Sequence, residues 1–136
     1  MELAVPYYAV LIAAVISFIV GGMWYSPLLF GNVWMKLMKI DAKEMGKNQM
    51  KANQSMAIMF LLVILTAFIF GHFVSFLAEK NLSNYLQMAG WIWLGFVMPV
   101  TAGGFLWESR PVKLFLINTS HQLVSLLIIA AVLSAF

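Results

Sequence analysis

No cysteine occurs in the 136-residue chain, which excludes disulfide frameworks, thiolate metal sites and cysteine nucleophiles. Charge is nearly as scarce. Asp, Glu, Lys and Arg make up 10% of the residues, against about 25% in soluble domains. No acidic residue falls inside any long apolar run. Proton-coupled carriers generally place a carboxylate in the membrane, so this absence separates the chain from the small multidrug exporters, with their buried glutamate in the first span. Histidine is confined to His72 and His121, with no pair at i, i+4, no Gly-x-Ser-x-Gly elbow and no phosphate loop. The expectation is a protein that is not an enzyme, binds no cofactor or metal and has no nucleic-acid partner.

What is abundant is apolar surface. The hydrophobic fraction is 63%, well above the roughly 45–50% of soluble domains. A chain this small cannot hide that excess inside itself, so its solvent is lipid. Four apolar runs, at about 5–24, 56–77, 86–107 and 114–136, each approach the ~20 residues needed to span a bilayer. No barrel-type alternation is present. The chain is therefore expected to be one integral-membrane domain, residues 1–136: an all-α bundle of four transmembrane helices with an interfacial or cytoplasmic helical segment between the first two.

Seven of the eight cations lie in two loops. Lys36, Lys39, Lys43, Lys47 and Lys51 sit between spans one and two, and Arg110 and Lys113 between spans three and four, leaving only Lys80 in the other loop. Positive-inside counting predicts an inner-membrane protein with both termini outside, and opposes dual topology. Lys39, Lys43, Lys47 and Lys51 recur every four residues, so they would form one helical stripe. That stripe is either a grip on anionic lipid headgroups or a solvated extension of span two. Asp41-Ala42-Lys43-Glu44 resembles a capping box at its start.

The exit of span one is the densest motif: Gly21-Gly22-Met23-Trp24-Tyr25-Ser26-Pro27, followed by Phe30-Gly31 and Trp34-Met35. Trp24 and Tyr25 suit an interface, and Pro27 turns the chain along the surface. Ala9, Ala13, Ser17 and Gly21 form a small-xxx-small row that predicts a close helix–helix contact. In span three, Pro99 lacks the donor and would clash with the Gly95 carbonyl, which predicts a kink. Gly21-Gly22 and Gly103-Gly104 open similar junctions, as a two-helix repeat would.

Candidate chemistry concentrates in span four. Asn118, His121 and Ser125 share one helical face, with Gln122 beside them. Polar groups at this depth either line a wet cavity, where His121 relays a proton or binds a polar ligand, or hold helices together. Glu108 and Arg110 either gate an inner opening or form an exposed ion pair. Ten methionines admit copper(I), but the Met35/Met38 and Met56/Met59 pairs lie on separate segments and read as fillers of apolar gaps. Asn81-Leu82-Ser83 matches a glycosylation sequon lying close to the bilayer.

These motifs resemble those of a family of small bacterial membrane proteins grouped as domain of unknown function 1761. The resemblance rests on Gly-x-x-Trp-Tyr-Ser-Pro-x-x-Phe-Gly-x-x-Trp-Met from Gly21 to Met35, Trp93-Leu94-Gly95-Phe96, and Arg110-Pro111 through Asn118-x-x-His121-x-Leu123-Val124. Where that pattern usually has a small residue and an aromatic before the histidine, this chain has Thr119-Ser120. The resemblance implies a four-helix membrane protein and brings no activity. The leading expectation is an oligomeric transporter or channel for a small polar or ionic solute, because four short spans leave little room for a pathway within one subunit. The alternative is a non-catalytic scaffold or accessory subunit that binds a partner membrane protein or anionic lipid.

Overall fold

Helix α1 (Tyr7–Trp24) starts after Pro6, whose extended backbone stands at the N-cap. It carries no charge, and its interior face is made mostly of small residues: Ala9, Ala13, Ala14 and Ser17 are buried, with Val10, while Leu11, Ile12 and Ile19 face outward. Lipid tails are as apolar as leucine, so packing between spans depends on close backbone approach rather than on burying large side chains. After α1 the chain folds back, with the Phe30 N–H donating to the Trp24 carbonyl and the Gly31 N–H to that of Ser26, each at 2.9 Å. This turn starts the short helix α2 (Gly31–Met38), which ends at Lys39 in the left-handed region, φ 55°.

The computed structural model of the protein describes residues 2–39 and 49–136. Lys43, Lys47 and the Asp41–Glu44 capping box lie outside the described residues. Helix α3 (Gln49–Phe73) continues into a 3-10 turn at Val74–Phe76. Helix α4 (Leu82–Ile92) begins at Asn81, whose Oδ1 accepts the Asn84 N–H at 2.9 Å. The sequon asparagine is thus a helix cap. The break at Pro99 takes the form of a π turn over Trp93–Val97, in which the Met98 N–H reaches the Trp93 carbonyl. Widening the ladder just before the proline is how the helix accommodates a ring that an α turn would press against Gly95. Helix α5 (Met98–Trp107) completes the third span, and α6 (Val112–Ser134) is the fourth.

All four spans are long and apolar enough to cross a membrane. Helices α1 and α6 form the centre: α3 packs on α1, while α4, the π turn and α5 pack on α6. The two ends of the bundle differ in kind. One carries Lys36, Lys39, Lys51, Arg110 and Lys113, and is called the basic end below. The other carries both termini, where the Tyr8 and Phe136 rings meet edge to face at 5.5 Å. The continuous apolar core lies toward this terminal end, with Val10, Phe70, Val74, Ile129 and Leu133 among its members. The basic half of the bundle is built differently.

Candidate functional site

In the basic half, α1 and α6 are joined by polar and aromatic side chains. Gly21 lets them touch: a Cβ there would stand 2.9 Å from His121 Nε2. The His121 ring lies between Trp24, at 6.1 Å and 49°, and Tyr25, at 5.0 Å and 63°. The Tyr25 hydroxyl donates to Asn118 Oδ1 at 2.9 Å, and the Trp24 indole N–H to the Ile117 carbonyl at 3.2 Å. Phe30 packs on Trp24 and Trp34 stands edge-on to Tyr25, so the turn after α1 completes the cluster. Burial pushes the Tyr25 phenol up to about 12, so it stays protonated and donating at neutral pH. Farther from the basic end, Ser17 Oγ and Ser125 Oγ meet at 2.6 Å. His121 and Ser125 therefore turn toward α1, and Asn118 toward the turn that follows it.

Gln122 faces the third span instead. Thr101 Oγ1 lies 2.8 Å from the Val97 carbonyl and 3.1 Å from Gln122 Oε1. One hydroxyl proton cannot serve both acceptors well. Both contacts are met when the glutamine amide is turned so that its nitrogen donates to the threonine oxygen. Nearby, the Trp93 indole N–H donates to the Thr119 carbonyl at 2.8 Å. The Thr119 hydroxyl is buried with no hydrogen-bond partner among the described residues.

Between α5 and α6 a cleft of about 240 Å³ opens at the basic end. Asn118 lines it about 9 Å into α6, counting the 1.5 Å rise per residue from Val112. Thr101 and Gly104 line the α5 side, and the stacked rings of Phe105 and Phe115, 5.3 Å apart, add an apolar wall. At the rim Arg110 Nε and Glu108 Oε2 pair at 2.6 Å, and Arg110 Nη1 lies 3.2 Å from Met38 Sδ of α2. Ser109 between them has φ 53°, the left-handed turn that brings both charged side chains to one rim.

The cleft combines three residues singled out from sequence, Asn118, Glu108 and Arg110, with several that were not. Thr101, Gly104, Phe105 and Glu108 are spaced i, i+3, i+4, i+7, and that helical face was a readable signal. His121 and Ser125 do not line the cleft; His121 flanks the tyrosine that holds Asn118. Ala13 is buried with the small-residue row, while Pro27, Lys39 and Lys51 are exposed. The two glycine-pair junctions are not equivalent either, since Trp24 is half-buried and hydrogen-bonded whereas Trp107 is 90% exposed. Among the described residues no three His, Cys, Asp or Glu side chains converge as metal ligands would.

Four apolar spans, an apolar core at one end and a polar helix junction at the other define an all-α polytopic membrane bundle. The chain belongs to the family described as "Protein of unknown function (DUF1761)", whose model matches residues 8–134. No curated protein and no solved structure matches the chain.

Proposed function

We propose that the protein is a membrane carrier or channel-like protein for a small polar solute, working as an oligomer and doing no covalent chemistry. The observation that supports this reading is the cleft at the basic end with Asn118 inside it. Tyr25 satisfies the Asn118 carbonyl oxygen, and the amide nitrogen makes no hydrogen bond among the described residues, which leaves a donor for a ligand. The basic end faces the cytoplasm on this reading, by the distribution of cations. Beyond the cleft, the Ser17–Ser125 contact and buried Thr119 obstruct the middle of the subunit. A through-path would then run between subunits, which is why oligomerisation belongs to the proposal.

A second reading has its own support. Tyr25–Asn118, Ser17–Ser125 and Thr101–Gln122 all join different spans. A polar cluster engaged in this way suits a scaffold or accessory subunit. Osmotic swelling of proteoliposomes separates the two across a panel of solute classes. Isosmotic amino acids, carboxylates, amines and sugars are each tested against the unmodified protein, Asn118→Leu and His121→Ala. Transport predicts swelling with at least one solute, lost in Asn118→Leu while the oligomer persists by crosslinking. Absence of swelling with every solute, together with loss of assembly in His121→Ala, favours the scaffold.

A further inference from the structure

The rim of the cleft holds one charge of each sign. Glu108 and Arg110 are 59% and 46% exposed and already paired with each other, so the site as a whole is neutral. A small anion entering would compete with Glu108 for Arg110 and leave the carboxylate unmatched; a small cation would do the reverse. A molecule carrying both charges can instead replace each side chain's partner with its own group, making two charge-assisted contacts where a singly charged molecule makes one. The volume, about 240 Å³, equals roughly eight waters. That accommodates a molecule of amino-acid size. Phe105 and Phe115 add an apolar wall, and Asn118 a neutral donor deeper in.

We propose that this cleft selects a small amphipathic zwitterion, its ammonium taken by Glu108, its carboxylate or phosphate by Arg110 and its apolar part by the Phe105–Phe115 wall. The proposal rests on reading the cleft as a ligand site and adds the ligand's chemical class. That chemistry has two sources, a free amino acid or the headgroup of an ethanolamine phospholipid.

The probes are L-leucine, isopentylamine, which lacks its carboxylate, and 4-methylpentanoate, which lacks its ammonium. Each is titrated calorimetrically into protein held in phosphatidylglycerol nanodiscs. Leucine is expected to bind at least about tenfold more tightly than either analogue, the scale of one charge-assisted hydrogen bond. Glu108→Gln should erase its advantage over 4-methylpentanoate, and Arg110→Gln its advantage over isopentylamine. Both side chains are exposed, so neither variant is expected to disturb folding. In a second arm the protein is extracted from mixed phosphatidylethanolamine and phosphatidylglycerol bilayers, and retained lipid is weighed by native mass spectrometry. Selective retention of phosphatidylethanolamine, lost in both variants, would identify the headgroup as the source and uphold the zwitterion. An analogue that matches leucine overturns the zwitterion; if Asn118→Leu abolishes that analogue's binding, the solute reading survives. No binding in either arm overturns the zwitterion too, and swelling with any other solute would still uphold transport.

Discussion

Gly31 offers the sharpest test of the turn that holds the cluster together. A Cβ added there falls against the Tyr25 carbonyl oxygen and within 2.6 Å of the Ser26 carbonyl group. These are backbone atoms of the turn closed by the Phe30 and Gly31 N–H bonds, so they cannot rotate aside as a side chain would. Gly31→Ala should cost about 3 kcal/mol, the top of the usual overpacking range. At most about 1 kcal/mol of that is offset by alanine's better helix propensity. The control is Gly22→Ala, where an added methyl meets nothing within 4 Å. That variant should gain up to about 1 kcal/mol, which separates the two by roughly 3 kcal/mol. The assay is SDS-induced unfolding in detergent micelles, followed by tryptophan fluorescence and extrapolated linearly. If the two variants unfold within about 0.5 kcal/mol of each other, the turn is not closed as described and the positioning of Tyr25 needs another explanation.

Three further outcomes are expected. Tyr25→Phe removes the bond to Asn118 and should cost about 0.6 kcal/mol, at most about 1.7. Because the folded phenol lies at about 12 and the unfolded one near 10, the folded state keeps its proton longer, so stability falls as pH rises from 10 toward 12. That fall should shrink in Tyr25→Phe, and an unchanged alkaline limb would place the titration elsewhere. A double-mutant cycle on Ser17→Ala and Ser125→Ala should give a coupling of about 0.6 kcal/mol; zero coupling would mean that the 2.6 Å contact contributes nothing net. The chain has no native cysteine, so single cysteines at Lys39 and Lys80 can be labelled cleanly with an impermeant maleimide. They should react from opposite sides of the membrane, and labelling from one side would overturn the four-span threading.

The four spans were legible because length and hydropathy alone decide membrane insertion. The small row on α1 and the polar face of α6 were legible for the same kind of reason, namely helical spacing. What spacing could not supply was their relation. The Gly21–Trp34 motif reads as an architectural exit and the Asn118–Ser125 cluster as a separate place for chemistry, yet Tyr25 and Asn118 share a hydrogen bond across 93 residues of sequence. Which of several possible helix faces meet is fixed by pairwise fit, here a glycine under a histidine ring, and nothing local encodes that fit. Pro99 announced a disturbance without its form, because a proline can bend a helix or widen it and the neighbouring spans decide which. The cleft was missed for a different reason. Its polar members, Thr101, Glu108, Arg110 and Asn118, are scattered over two spans and the turn between them, and its walls of phenylalanine and glycine look in a membrane span like ordinary filling.

The placement of α1 between α3 and α6 has a consequence for how the protein is made. A ribosome emits about 5–20 residues per second, so the 93 residues separating Trp24 from its acceptor at Ile117 take roughly 5–20 seconds to appear. Through that interval the α3 side of α1 can already be covered while the face bearing Ser17 and Gly21 waits in lipid. The first span emerges early and is completed last. A chain stopped at Pro111 should therefore insert its first three spans with Trp24 still open to a water-soluble quencher, whereas the full chain should shield it.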